Sequence, residues 1–174
     1  MTVTPLPTDR PPSFPEIMDD LAKAWCHTPW AASEMSFDGD AYHGVFDVDM
    51  AADVRAEAPY RPLLHGSVLA QIVSYHALAS VLFAYTNQHH PVLAALPRVD
   101  LVEARRRFLV TALELSLLKP VFETRVPLKL TIDTFTDKWE THRMAFGVMS
   151  VEVAGGKHTA RLEGCVNFRD AVDL

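Results

Sequence analysis

LHGSVLAQIVSYHALASVLFAY, residues 64–85, is the stretch whose reading decides the fold. It contains no Asp, Glu, Lys, Arg or Pro, opens on His65-Gly66, and carries a second histidine, His76, just past its middle. A helix that is apolar on all sides is stable only where something surrounds it. The length also suits a membrane crossing. Against that, Ser67, Gln71, Ser74, His76 and Ser80 interrupt the apolar run, and no Lys or Arg cluster flanks it to set an orientation. The stretch therefore reads as a core helix and not a membrane span, and the direction of its few polar atoms becomes the functional question.

Working outward, residues 15–26 read as a short helix, with Pro15 at its start, acids in its first turn and Ile17, Leu21 and Trp25 at helical spacing. Residues 43–50 alternate, Phe46, Val48 and Met50 against Asp47 and Asp49, as a half-buried strand. A strand at 32–37 precedes it, with Asp38-Gly39 as the hairpin turn. A loop containing Pro59 and Pro62 leads into the uncharged helix, which ends between Asn87 and Pro91. Residues 98–108 read as a second, charged helix. Strands follow at 109–118 and 127–135, then a hairpin of 143–153 and 159–168 around Gly155-Gly156. This is an α+β order, with one helix lying along an antiparallel, curved sheet.

The totals agree with one domain: 174 residues, 49% hydrophobic. Residues 1–15 hold five prolines and read as a flexible arm without the basic start and apolar run of a signal peptide; residues 16–174 form the domain. The net charge of -6 excludes a dedicated nucleic-acid binder, which needs excess cations to neutralise phosphates. Cys26 and Cys165 match no metal spacing, so no metal is expected, and a reduced, cytoplasmic location is.

The run Leu63-Leu64-His65-Gly66-Ser67-Val68-Leu69-Ala70 resembles the helix start of many hotdog-fold acyl-thioester enzymes, in which an antiparallel sheet wraps one long apolar helix. A nearer resemblance is to the FcoT-type long-chain acyl-CoA thioesterases. It is carried by Tyr60, His65, Tyr75-His76-Ala77-Leu78-Ala79, the 99–108 segment and Leu118-Lys119-Pro120. That group's two helix asparagines correspond here to Ser67 and His76. The same group resembles enzymes that do not hydrolyse: they add the amine of glycine to the β-carbon of an α,β-unsaturated acyl chain on a carrier protein. The resemblance thus implies a single hotdog fold acting on an acyl carrier protein or CoA thioester. The phosphopantetheine belongs to the substrate, with no other cofactor, and a homodimer or higher oligomer pairs sheet edges.

The residues fit that chemistry. Gly66 begins the helix, where backbone N–H groups lack partners and the dipole is positive, so a thioester carbonyl gains a hydrogen bond that strengthens as charge develops. His65 beside it is a candidate acid or base, with Tyr60 and His76 as further catalytic candidates. His65 and His76 fall on one face but roughly 16 Å apart at the helical rise, too far to share a proton. Ser67, Gln71 and Ser74 form a polar stripe at i, i+4 and i+7, and with Tyr75 are candidates for substrate contact. Arg61 is the candidate anchor for a glycine carboxylate. Arg98, Arg105, Arg106 and Arg107 make a basic patch suited to an acidic carrier protein. Val68, Leu69, Ile72, Tyr75 and Phe83 suit an acyl tunnel or plain core. The helix carries no carboxylate, and alternation turns Asp47 and Asp133 outward, which favours amine addition over hydrolysis. Thioester hydrolysis and non-catalytic acyl-thioester binding are the alternatives.

Overall fold

The computed structural model describes residues 10–23, 28–50 and 64–169. They run α1 (Phe14–Ala22), β1 (Trp30–Phe37), β2 (Tyr42–Val48), α2 (Gly66–Thr86), α3 (Pro91–Ala94), α4 (Leu101–Arg107), β3 (Phe108–Leu117), β4 (Arg125–Lys138), α5 (Trp139–His142), β5 (Met144–Val153) and β6 (His158–Asn167). The strands form one antiparallel sheet of order β1-β2-β4-β5-β6-β3, which leaves β1 and β3 as its edges. Register shifts at Ala32/Glu34, Val110/Ala112 and Ile132/Thr134 are bulges, and bulges bend the strands that carry them.

Helix α2 packs against β2, β4, β6 and β3, and against α1, α3 and α4. Its apolar side chains are buried nearly all round, from Val68 and Leu69 to Ala84 and Tyr85. By length and composition it is the one helix among the described residues able to cross a membrane, yet most of it is buried inside the protein. It ends in a Schellman arrangement: Gln88 takes a positive φ of 59°, Gln88 N–H donates to Tyr85 O and His89 N–H to Ala84 O.

Several boundaries differ from the sequence expectation. Helix α1 begins at Phe14, because Ser13 N–H donates to the Glu16 carboxylate at 2.7 Å and closes the first turn before Pro15. The charged helix is shorter than 98–108: the Asp100 side chain accepts from Glu103 N–H, so Arg98 lies before the helix and Phe108 opens β3. The β1–β2 turn spans Asp38 to Ala41, with Asp38 Oδ1 accepting from Asp40 and Ala41 and Gly39 at φ 108°. Strand β4 runs on to Lys138, and α3 and α5 are short helices outside the expectation. Strand β6 begins at His158, one residue earlier than expected.

The inner face, toward α2, follows from the registers. One row crosses the whole sheet: Met35, Gly44, Leu128, Val153, His158 and Leu117 lie opposite one another on successive strands. Directly opposed residues in an antiparallel pair share a face. This row ends at β3, close to the start of α2.

Candidate active site

Three segments meet at the N-terminus of α2. Leu64 N–H donates to Val121 O at 2.8 Å, fixing the chain as it enters the helix, and Lys119 N–H donates to Lys157 O at 3.0 Å. Leu117 reaches the same place: its Cδ1 lies 3.7 Å from where a Gly66 β-carbon would stand. The Leu118-Lys119-Pro120 segment and the turn before β6 are therefore gathered around His65-Gly66.

His65 is the N-cap, with extended backbone at φ -76° and ψ 148°, and its side chain makes no cap bond. It is exposed, as is Ser67, while Gly66 is half-buried. Among the described residues the first backbone bond of the helix is Leu69 N–H to His65 O. Among the described residues nothing caps the N–H groups of the first turn, which are donors at the positive end of a long dipole.

The polar stripe divides along its length. Gln71 is exposed, but its Oε1 accepts from Trp30 Nε1 at 3.0 Å, which ties α2 to β1 and leaves the amide NH2 to the outside. Ser74 is half-buried. Tyr75 is buried, donates its hydroxyl to Met18 O at 3.0 Å and stacks edge-on with Trp30, so it anchors α1 on α2; burial pushes its phenol up to about 12.

His76 lies in the centre of the core. It is 0% exposed, Nε2 donates to Tyr42 O at 3.1 Å, and Nδ1 has no partner. Burial holds the ring neutral, its pKa lowered to about 4. His65 and His76 are not brought together, as the helical rise requires. Tyr60 and Arg61 lie outside the described residues.

The four arginines are held by different partners. Arg98 donates to Tyr85 O, Arg105 pairs with Asp20 at 2.9 Å, and Arg107 pairs with Glu103, donates to Asn167 O and lies over the Phe168 ring. Arg98 and Arg106 are the exposed members, and Arg106, 72% open, makes among the described residues only a long 3.9 Å contact, to Glu103. The outward carboxylates are as the alternation requires: Asp47 is exposed, and Asp133 accepts from Ser150 on the outer face. Among the described residues no group of three or more His, Cys, Asp and Glu side chains is placed to hold a metal.

Val68, Leu69 and Ile72 are buried core, and Phe83 stacks on Phe14 with ring centres 3.9 Å apart. A small, open apolar cleft lies further along α2, between Leu78, Val81, Phe108, Val110, Phe135 and Met149. The signal for it in the sequence is Leu78 and Val81, which share a helix face with Ser67 and Ser74. The residue that sequence reasoning missed at the helix start is His158. It is 4% exposed and on the inner face opposite Leu117, with the Lys157 backbone as its polar neighbour. Its signal is a polar residue in register with the inward Ala160 and Leu162.

The chain matches no protein-family profile and no curated protein. Its architecture does recur among solved structures. A thioesterase from Haemophilus influenzae superposes with a TM-score of 0.54 at 13% identity, over 90% of this chain and 92% of that one. A provisionally assigned thioesterase from Syntrophus aciditrophicus gives 0.57 at 12% identity, over 79% and 84%. A mutant thioesterase from Pseudomonas aeruginosa gives 0.54 at 14% identity, over 91% and 96%. Identities this low speak for the fold alone: the chain is a hotdog-fold protein, a six-stranded antiparallel sheet with one long helix packed on its inner face, as in these thioesterases.

Proposed function

We propose that this protein is an enzyme acting on an acyl thioester of CoA or an acyl carrier protein, with the thioester carbonyl seated on the N-terminus of α2. The observation that carries this reading is the first turn at His65-Gly66, uncapped among the described residues and flanked by exposed His65 and Ser67, at the end of an otherwise buried 21-residue helix. Such a turn presents N–H donors and a positive field to an oxygen that gains charge in the reaction. The thioesterase descriptions of proteins sharing the fold agree with it.

The finer assignment is addition of glycine to the β-carbon of an α,β-unsaturated acyl-carrier thioester, a step of secondary metabolism that yields a β-amino acid. The glycine nitrogen bonds to the β-carbon, and the electron pair of the carbon–carbon double bond moves onto the carbonyl as an enolate. Gly66 N–H and the helix dipole stabilise that enolate. The ammonium then loses a proton to His65, and the α-carbon gains one as the enolate collapses. Outward-facing Asp47 and Asp133 favour this reading over hydrolysis, since neither reaches the helix start to activate water. In it Arg61 binds the glycine carboxylate, and exposed Arg106 carries most of the carrier-protein attraction.

A homodimer paired through β3 is part of the proposal. That strand is a sheet edge carrying exposed Leu109, Val110 and Leu117, and an apolar open edge is a template for another strand.

The test is to incubate the protein with an enoyl-carrier protein, with and without glycine, and follow the acyl group by intact mass. A gain of one glycine supports addition. Release of free acid assigns hydrolysis instead, with His65 acting on water. An unchanged acyl group with measurable binding leaves a non-catalytic acyl-thioester module.

A further inference from the structure

The inner face of β3 is poorly covered. Leu113 and Leu115 are half-buried, Val110 is 41% exposed and Leu117 58%, whereas Leu162 and Ala160, opposite Leu113 and Leu115 on β6, are buried. Strand β3 nevertheless runs lengthwise beside α2. At one end Leu117 Cδ1 lies 3.7 Å from where a Gly66 β-carbon would stand. At the other, Val110 joins Leu78 and Val81 in the walls of the apolar cleft, and the Phe108 and Tyr85 rings meet at 5.6 Å. Gly66 to Leu78 spans roughly 18 Å at the helical rise, and Leu117 to Val110 roughly 23 Å at that of a strand. On the helix side the same line is exposed Ser67, then half-buried Ser74 and Leu78. Between helix and strand lies a solvent-open trough of roughly 20 Å, apolar on its strand wall.

The far end of the trough has a wall. Phe135, Gly147, Gly164 and Val110 stand in one row across β4, β5, β6 and β3. The two glycines put no side chain on the floor, and the Phe135 ring lies over the first of them: a β-carbon on Gly147 would come 2.7 Å from the ring. His90 packs against the same ring, with centres 5.4 Å apart. The ring is thus held between a bare backbone and an imidazole. What enters the trough is one chain wide, because its two walls already meet at both ends. A partner's helix or strand does not fit between them, whereas a hydrocarbon tail does.

We propose that the trough holds the acyl chain of the thioester, running from the α2 N-terminus to Phe135, and that Phe135 and Val110 set the acyl length. This rests on the acyl-thioester reading and deepens it by naming the substrate class, long straight chains. An extended chain advances roughly 1.2 Å per bond, so a carbonyl at Gly66 leaves room for about 16 carbons before Phe135. Each methylene laid against Leu115 or Leu113 takes apolar area out of water.

The experiment titrates protein carrying methyl labels on Leu and Val and a nitrogen-15 label at the Gly66 amide. The probes are non-hydrolysable amide analogues of hexanoyl-, decanoyl-, hexadecanoyl- and eicosanoyl-CoA. All are expected to shift the Gly66 amide, and affinity should climb from hexanoyl to hexadecanoyl, then stop climbing at eicosanoyl. The Leu78 and Val110 methyl signals should move with hexadecanoyl and stay in place with hexanoyl. Equal affinity at every length, or a climb without shifts at Leu78 and Val110, overturns this inference, while a saturable Gly66 shift keeps the acyl-thioester reading standing. If no probe gives a saturable shift, the acyl-thioester reading fails and takes this inference with it. Methyl shifts that follow protein concentration and not the probe assign the trough to a second copy and also overturn it. Substitution gives a second readout. Val110→Trp narrows the closing row and should lower the hexadecanoyl-to-hexanoyl affinity ratio roughly tenfold or more, and Phe135→Leu, which shortens the wall, should raise the preferred length. Unchanged length preference in both folded variants would mean that this row does not measure the chain.

Discussion

Gly44 and His76 are fitted to each other: a β-carbon on Gly44 would lie 2.9 Å from His76 Nδ1. That is closer than real β-carbons approach, and the ring is fixed from the other side by its bond to Tyr42 O. The Met35 sulfur stands equally near but ends a flexible side chain that can turn away. Gly44→Ala should therefore cost about 1–3 kcal/mol by overpacking, measured by denaturant unfolding. In a His76→Ala background the same substitution should cost much less. Equal costs in both backgrounds would show that the fit to His76 is not what requires glycine.

Burial of His76 also makes stability depend on pH. Its folded pKa is lowered to about 4, below the ordinary value of 6.5. The unfolded chain therefore takes up the proton first as pH falls. The contribution is fully present above about pH 6.5 and is lost progressively down to pH 4, roughly 3 kcal/mol in all. His89, His90 and His158 are shifted the same way by burial and steepen the loss. His76→Gln, which keeps a donor for Tyr42 O, should flatten the stability profile between pH 4 and 6.5 by about one proton. An unchanged slope would mean that His76 is not buried as a neutral ring.

Much of this architecture was legible from charge alone. A stretch without charges can only be wrapped, and Phe46 and Val48 alternating with Asp47 and Asp49 gave β2 its inward face. The roles of the polar residues were harder to read, because their partners are distant in sequence. Gln71 is engaged by Trp30 and Arg105 by Asp20, bonds 41 and 85 residues apart that no local pattern reveals. His158 was missed through a single boundary residue: starting the last strand at Thr159 leaves His158 in the turn, whereas starting it at His158 sets the ring on the inner face.

Gly66 is the position where fold and function separate most cleanly. As the first helical residue it contributes an N–H that no helix bond uses, and proline is well tolerated there. The extended backbone of His65 already suits a residue before proline. Gly66→Pro should therefore keep the fold and the melting temperature while removing one donor from the helix start. Acyl-thioester turnover is expected to drop by roughly 100-fold or more, with Gly66→Ala, whose β-carbon meets only ordinary contact with Leu117, affected less. Full activity in a folded Gly66→Pro protein would move the carbonyl away from this N–H.

The two sheet edges differ in what they offer a second copy. Edge strand β1 carries Ser33, Glu34 and Ser36 on its exposed positions, and Glu34 pairs with Arg125, so a partner strand there would have to strip charge and hydroxyls of water. Edge strand β3 instead exposes Leu109 at 51% and Leu117 at 58%, apolar area that association removes from water. Pairing through β3 also sets the partner beside the apolar cleft and the open face of α2, which β3 borders. Leu109→Lys puts an uncompensated charge into such an interface but leaves the isolated subunit intact, because the side chain is already half in solvent. Sedimentation velocity should show a dimer for the unaltered protein, a monomer for Leu109→Lys, and a dimer still for Ser36→Lys on the opposite edge. A dimer that survives Leu109→Lys but is split by Ser36→Lys would assign the interface to β1, and the partner would then stand across the sheet from the helix start.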